Sequence, residues 1–536
     1  MATGAMTVRQ TTIAVMLWAL ALAFCAQLVI DTSMTNLVST IIVGVTTLVT
    51  LLYLGHTDAV DHQPLSTLVL FGFCVTTQFG ALFAQSLAGT SLTASLRQPI
   101  GTFLTLAAYQ LLAIAAHATY RLFSNPTRQP SLVRRSLGQL GMYATPSASA
   151  LWVMGGIGCI SYALPRPGFD SGAAEGVGLV GAVALAFNFL ISAPFLIPLY
   201  RRIEGPQYCR SRWTWPGLAL YAMVALVIAM LRNARVIMFV GAITVALGYL
   251  LVCLQNRATV RSGIFMRLAL VAIGFVIIIP PVSDLATAMA IARAERSKVS
   301  GMQMLSNTLH FWQNPFLIKQ FRDREGNAGI YQHYDEAYLA NPLFARLVET
   351  KFHDNALYFS HTLTTRDSQE SLTRTTVEFL WSILPTPILK RLGIHLDKED
   401  LNFSMGDYLA YLSRGVPLGG RKTGSIFAQG QVVFGALFPF IYILLCFLLF
   451  KWMDLLCRRS PDGTAFPVTL ALLTSWQLVH LLAPESFHQP CIAIVRGLPT
   501  AIAAYTLVFW MTRLLTGSSA KRRHEVTLNS SETVSS

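Results

Sequence analysis

Apolar residues in this chain come in blocks of about twenty, set apart by short polar stretches, and the blocks recur from residue 11 to residue 511. Twelve can be marked, near 11–30, 36–54, 65–85, 99–120, 148–165, 177–200, 216–231, 236–254, 264–283, 430–450, 464–483 and 491–511. An unbroken helix of about 20 residues crosses the hydrocarbon of a bilayer. The pattern therefore predicts an all-α, polytopic membrane protein of about 12 transmembrane helices, nine over residues 1–291 and three over 430–515. The first block, "TTIAVMLWALALAFCAQLVI", has a second reading as a signal peptide cleaved after "ALA", although its apolar part is long for that role. Residues 516–536 read as a disordered polar tail.

One long interval, 292–429, breaks the rhythm between the ninth and tenth blocks. It carries a helical period of its own. "SLTRTTVEFLWSIL" (371–384) puts Leu372, Thr376, Phe379, Leu380 and Ile383 on one face, and Pro385 and Pro387 stop the helix. Trp381 beside that face suits a helix at the lipid headgroups, or one packed on a small core of the segment. "RAERSKVSGMQMLSNTLHFW" reads as a helical continuation of the ninth block after Pro280–Pro281. No strand alternation persists, so the interval is expected to form a mainly helical cap.

Composition supports a membrane setting: 53% of the 536 residues are hydrophobic and 12% charged, against about 25% charged in soluble domains. The net charge of +14 has to be read by location. With the N-terminus inside, the inner connections hold nineteen Lys and Arg, and the short outer ones hold four: Arg97, Arg166, Arg232 and Arg235. That bias orients both termini to the cytoplasm and puts 292–429 outside. One inner loop, "HTDAVDHQ", has no cation. The cap balances sixteen cations with fourteen anions, which argues against nucleic acid as a partner. Eight cysteines without CxxC spacing, and none in the cap, indicate neither a disulfide framework nor a zinc site. GxxxxGK[ST], HExxH and GxSxG are absent, against an ATP-driven pump, a zincin or a serine hydrolase.

Candidate chemistry lies where cations meet the outer ends of the blocks. "LRNAR" holds Arg232 and Arg235 at a tight hairpin. Arg496 falls about five residues inside the twelfth block. A charge at that depth is expensive, so it should face the interior, a wet cavity, or a partner such as Glu485 or Asp284. "GVPLGGRKTGSIFAQGQVVFGALF" (415–438) brings Arg421 and Lys422 among glycines just before the tenth block, with Arg414 upstream. If that span starts near Gly430, its amides and dipole would favour an anion, and glycines would let backbone N–H groups form a nest. Headgroup snorkelling is the alternative for each of these cations. Candidate bases are His353 in "KFHDNALYFSHTL", Glu378 and Asp407, and the sequence does not choose among them.

Three stretches together resemble the bacterial polymerases of lipid-linked oligosaccharide repeat units and their relatives, the O-antigen ligases. "MLRNARVIMFVGAI" (230–243) is similar to the arginine-bearing junction that opens a mid-chain span in that superfamily. "FHDNALYFSHTL" resembles its histidine–asparagine loop motif, with Asp354 interrupting the HN pair and the following glycine missing. "GGRKTGSIFAQGQVVFGALFPF" resembles the passage from outer loop to next span. The resemblance implies metal-independent glycosyl transfer, without a cofactor, at the outer leaflet of the bacterial inner membrane. The substrate would be an undecaprenyl-pyrophosphate-linked oligosaccharide, and the partners would include membrane lipid, a flippase and chain-length regulators. Arg232, Arg235, Arg414, Arg421, Lys422 and Arg496 would bind substrate; His353, or else Glu378 or Asp407, would activate the acceptor hydroxyl. Trp312, Tyr331, Tyr334, Tyr338 and Trp381 would offer stacking surfaces for sugars. The alternatives from other classes are a polytopic secondary transporter and a membrane component of polysaccharide export. A metal-dependent lipid-sugar transferase fits less well, because the first outer loop, "DTSMT", holds Asp31 alone.

Overall fold

The computed structural model of the chain describes residues 6–56, 58–124, 131–164, 179–255, 278, 280–292, 299–328, 338–339, 348–420, 422–460 and 463–516. Among these, nine helices are long and apolar enough to span a membrane: Val8–Ile30, Met34–Gly55, Pro64–Ala88, Pro99–Phe123, Val183–Ile203, Thr214–Leu231, Ile237–Gln255, Ile426–Leu455 and His488–Leu515. The fifth block forms a shorter apolar helix, Ala148–Ala163. Most of the ninth block lies outside the described residues. The protein is a multi-pass, helical membrane protein; the strands among the described residues form one small hairpin, Cys457–Arg459 with Ala465–Pro467.

Several of these helices are interrupted. Pro64–Ala88 contains a π-helical turn at Val75–Phe79, and Val183–Ile203 runs as a 3-10 helix over Asn188–Leu196 around Pro194. Ile426–Leu455 changes direction at Gly435, whose φ of 52° suits glycine. The eleventh block is not one helix. It enters as the second hairpin strand and continues as two five-residue helices, Thr469–Leu473 and Ser475–Val479. Residues 468–475 are all buried, and broken backbone at membrane depth is tolerated where protein surrounds it.

The cap differs from expectation at its start. Ser300 is extended and caps a fresh helix, Gly301–Trp312, through a capping box with Gln303, so no continuous helix runs in from the ninth block. The periodic helix spans Arg366–Ser382, with Thr365 as its N-cap. Its predicted face turns inward: Leu372, Thr376, Phe379 and Ile383 are buried, while Trp381 is exposed. Among the described residues the cap shares its core with the membrane helices. Leu357, Phe359, Leu372, Phe379 and Leu409 belong to the same apolar cluster as Phe73, Tyr109, Phe438 and Tyr442 of the membrane helices.

The opposite end of the molecule is tied by ion pairs. Arg9 meets Asp61 at 3.2 Å, Asp454 takes Arg134 and Arg459, and Glu204 takes Arg458. The loop without a cation is thereby explained, because its Asp61 receives Arg9 from the first helix.

Candidate functional site

The centre of interest is a polar helix that is almost wholly buried, Thr350–His361, "TKFHDNALYFSH". Lys351 and His353 are 2% exposed, Asp354 and Asn355 not at all. Charged groups removed from water persist only when something compensates them. The helix is docked first at its N-terminus. The π-helical turn presents carbonyls to it: the Glu349 N–H donates to Thr76 O at 2.7 Å, and Thr350 Oγ1 donates to Thr77 O at 2.7 Å. π-turns recur at functional sites because they offer carbonyls out of the regular ladder.

Residues 351, 354, 358 and 361 fall on one stripe of this helix, and all four meet the connection before Pro99–Phe123. Lys351 Nζ donates to Ser95 O, and Ser95 has a φ of 61°. Asp354 accepts from the Arg97 and Gln98 N–H groups at 2.7 and 3.0 Å and from Thr102 Oγ1 at 2.9 Å. It thus caps a membrane helix from across the molecule. Arg97 lies 4.8 Å from the Tyr358 ring centroid, and His361 Nδ1 is 3.0 Å from Gln98 Oε1. The aspartate that interrupts the HN pair therefore fixes this loop.

His353 points the other way. Its Nδ1 is 2.8 Å from Ser425 Oγ, and its ring lies 5.3 Å from that of Phe427. Ser425 Oγ also accepts the Phe427 N–H, capping the helix Ile426–Phe434. Phe427 packs on Tyr109 at 4.7 Å and on Phe73 at 5.7 Å, which anchors Ser425 to the membrane bundle. His353 Nε2 is buried without a hydrogen-bond partner among the described residues. Burial lowers the His353 pKa to about 4, against a smaller opposing effect of Glu349, so the imidazole is neutral at neutral pH. The residue sequence reasoning missed is Ser425; its signal was the "GS" before an apolar run, the signature of an N-cap.

The glycine-rich stretch has a role different from the expected nest. The span begins at Ile426, ahead of Gly430. Its first amides are already used, Ile426 N by Pro484 O and Phe427 N by Ser425 Oγ. The glycines permit close backbone approach instead: a side chain on Gly406 would collide with the Lys422 and Thr423 carbonyls, and one on Gly424 with the Glu485 carbonyl. That contact sets Asp407, fully buried, against Lys422, whose N and Nζ donate to Asp407 Oδ1 at 3.1 and 3.3 Å.

The remaining candidates distribute as follows. Arg414 donates to the Tyr358 hydroxyl at 2.7 Å and lies 5.4 Å from the ring centroid, beside Arg97. Arg232 donates to the Tyr162 and Leu164 carbonyls, ending the helix Ala148–Ala163. Arg235 begins the helix Arg235–Gln255. Arg496 sits exposed in a π-helical turn, Ala493–Gly497. Burial and the nearby Arg496 hold the Lys398 pKa below the lysine range. Asp284 is not the partner expected for Arg496, since it pairs with Arg322 at 2.8 Å. Glu378 lies on the outward face of its helix, 3.8 Å from Arg374. Arg421, Tyr331 and Tyr334 are outside the described residues; Trp312 and Trp381 are exposed and Tyr338 is buried.

The structure thus brings His353 to Ser425, Asp407 to Lys422, and Arg414 to Arg97, all around the polar helix and the 422–427 segment. Arg232, Arg496 and Glu378 contact other parts of the molecule. Among the described residues no three His, Cys, Asp or Glu side chains gather as a metal site. Fold and site define a multi-pass helical membrane protein with a buried polar helix under a cationic rim. The chain matches no known family model, no curated protein and no solved structure.

Proposed function

We propose that this chain is an inner-membrane polymerase that joins undecaprenyl-pyrophosphate-linked oligosaccharide repeat units into exopolysaccharide, capsule or O-antigen. Twelve spans, cytoplasmic termini and a periplasmic cap fit the nineteen-to-four distribution of cations. In the reaction the bond from the sugar anomeric carbon to the diphosphate oxygen breaks, and its electron pair leaves with the diphosphate. The acceptor hydroxyl oxygen of the incoming unit bonds to that carbon, and its proton passes to a base. His353 Nε2 is a lone pair held in place by Ser425 when the Nδ1 tautomer carries the proton. An anionic leaving group brought beside it would favour the imidazolium and move its pKa back up. Arg97 and Arg414, which meet this helix at Tyr358, are cations that could stabilise the leaving diphosphate.

The observation that carries this reading is the buried polar helix itself: Lys351, His353, Asp354 and Asn355 within five residues, at 2% exposure or less, beside exposed arginine. Such groups are costly to bury, and a fold that keeps four of them together supports a functional role. A strain lacking the gene tests it. Single lipid-linked repeat units should accumulate while long polymer disappears, and a His353→Ala copy should fail to restore polymer. Unchanged glycan in that strain would end the proposal.

A second reading, a secondary transporter, draws on one observation: the buried, broken helices Thr469–Leu473 and Ser475–Val479. Discontinuous helices are where transporters bind ions and solutes. Solute-dependent proton flux in vesicles would favour it.

A further inference from the structure

Helix Met34–Gly55 hides a polar side. Asn36, Ser39, Thr40, Thr46, Thr47 and Thr50 are at most 3% exposed, and the helix packs on Pro64–Ala88 and Pro99–Phe123. A polar face turned inward glues membrane helices together when its groups satisfy one another. Here they do so only in part. Gln110 Nε2 donates to Leu70 O at 3.1 Å and to Thr50 Oγ1 at 3.4 Å, and Cys74 Sγ lies 3.7 Å from Thr47 Oγ1. Ser39 Oγ, Thr40 Oγ1, Gln110 Oε1 and both amide atoms of Gln78 are buried without a hydrogen-bond partner among the described residues. Gln78 is fully buried and stands in the π-helical turn Val75–Phe79. Each such unmet atom costs about 1–3 kcal/mol, so helix glue does not account for this residue.

The unmet groups are neighbours. Thr47 meets Cys74, and Tyr53 meets Ser66 through His117, so the first two of these helices run in opposite directions. With Cys74 level with Thr47, Gln78 falls level with Val43, one turn from Ser39 and Thr40. At the far end of the same three helices lies His117, fully buried. Its Nδ1 is 2.8 Å from the Tyr53 hydroxyl and its Nε2 2.8 Å from Ser66 Oγ, with the ring edge-on to Phe450 at 4.9 Å. Tyr53 lies one turn from Thr50, and Ser66 one turn from Leu70.

The column reaches charged groups at both ends. Beyond Tyr53 stand Arg121, which acts on both Tyr53 and His117, and the Leu54 carbonyl, which accepts from Arg9 at 3.0 Å. At the cap end Ser91 Oγ is 3.1 Å from Asn36 Oδ1 and 2.7 Å from a carboxylate oxygen of the half-buried Asp31. From Asn36 to Tyr53 the polar side covers about 25 Å of helix, close to the thickness of the hydrocarbon.

We infer that this column is a proton path through the membrane, with His117 as its relay and the unmet groups around Gln78 as the place where water completes it. Hydroxyls both give and take protons, and an imidazole takes one at one nitrogen while releasing one from the other. A proton passed to Nδ1 by Tyr53, which regains one from solvent, is matched by a proton released from Nε2 toward Ser66. The ring returns to neutral with its tautomer exchanged, and a turn of the ring resets it. Histidines inside membranes mark such relays. No step of the glycosyl transfer proposed above runs through the column, so either can fail without the other.

The purified full-length protein would be placed in phosphatidylcholine–phosphatidylglycerol vesicles holding a pH-sensitive dye, with a potassium diffusion potential set by valinomycin. Internal pH should change faster than in empty vesicles, with no solute added. Tyr53→Phe, Gln78→Leu and His117→Gln should each return the rate to that of empty vesicles. Gln78→Leu also separates conduction from packing, because removing an unmet carboxamide should leave the unfolding temperature unchanged or raise it. A parent no faster than empty vesicles, or a full rate in variants that elute as the parent does, overturns the path. A fall in unfolding temperature in Gln78→Leu would show a satisfied carboxamide and overturn it as well.

Discussion

Ser425 Oγ and His353 Nδ1 stand 2.8 Å apart, joining the first turn of a membrane helix to a buried helix of the cap across 72 residues of sequence. One hydroxyl here caps Ile426–Phe434 and fixes the imidazole. Ser425→Ala should cost about 1 kcal/mol from the cap alone, and reduce polymer formation further than that loss of stability accounts for. Ser425→Thr, which keeps the hydroxyl, should restore part of both. Thermal unfolding and polymer length in the same strains check this; a variant with normal polymer would remove Ser425 from the site.

His353 makes stability depend on pH. Its pKa is near 4 in the fold, against 6.5 for the free side chain. Between those values the unfolded chain takes up a proton that the folded chain refuses. The contribution of neutral His353 is therefore complete above pH 6.5, is lost as pH falls toward 4, and changes no further below. The full effect is on the order of 3 kcal/mol. Unfolding temperatures at pH 7 and pH 5 should fall more for the parent than for His353→Asn. Equal falls would mean that the imidazole is not buried as described.

Asp354 should be the least replaceable member of the polar helix. Removing its carboxylate takes the acceptor from the Arg97 and Gln98 amides and the Thr102 hydroxyl, and the counter-charge from the buried Lys351 ammonium. Breaking a buried charge pair from one side costs about 3–5 kcal/mol. Asp354→Ala should therefore fail to accumulate in membranes, while Asp354→Asn, which keeps acceptor oxygen, should accumulate at reduced level. Glu378→Gln gives the contrast: on the outward face, 3.8 Å from Arg374, it should change stability by less than about 0.5 kcal/mol and leave polymer intact.

The glycines of the 406–424 contact separate packing from pliability. Gly406→Ala and Gly424→Ala place a methyl against backbone carbonyls that cannot swing away, and should disrupt the Asp407–Lys422 pair and polymer formation together. Gly415→Ala meets no neighbour and carries only the strain of its φ of 65°, about 1 kcal/mol. Unfolding temperatures of the three variants rank the two causes. A mild effect at Gly424 would show the 422–425 segment to be loosely held.

What the sequence disclosed follows from what hydrophobic periodicity can carry. Long apolar blocks announce membrane helices by length alone, and the face from Leu372 to Ile383 was legible because polar residues cover its other side. Residues 464–483 misled for the same reason: mostly buried, with 468–475 buried throughout, they show no clear period, so two short helices and a strand look like one span. The anion nest expected at 415–430 turned on where the helix begins, and the capping hydroxyl of Ser425 moved that start forward. Arg97, Asp354 and Ser425 acquire their roles through pairings across 257 and 72 residues, which local pattern cannot reveal. The cations were visible, but their grouping was not: Arg232 ends a helix, whereas Arg414 and Arg97 share a ring.

The most direct measurement is the length distribution of lipid-linked glycan after the purified protein, in proteoliposomes, meets undecaprenyl-diphosphate-linked repeat units. The account predicts a ladder of longer lipid-linked chains that survives chelation of divalent metals and is lost in His353→Ala. Repeat units that remain single with the parent protein, or a ladder undiminished in the variant, would contradict it.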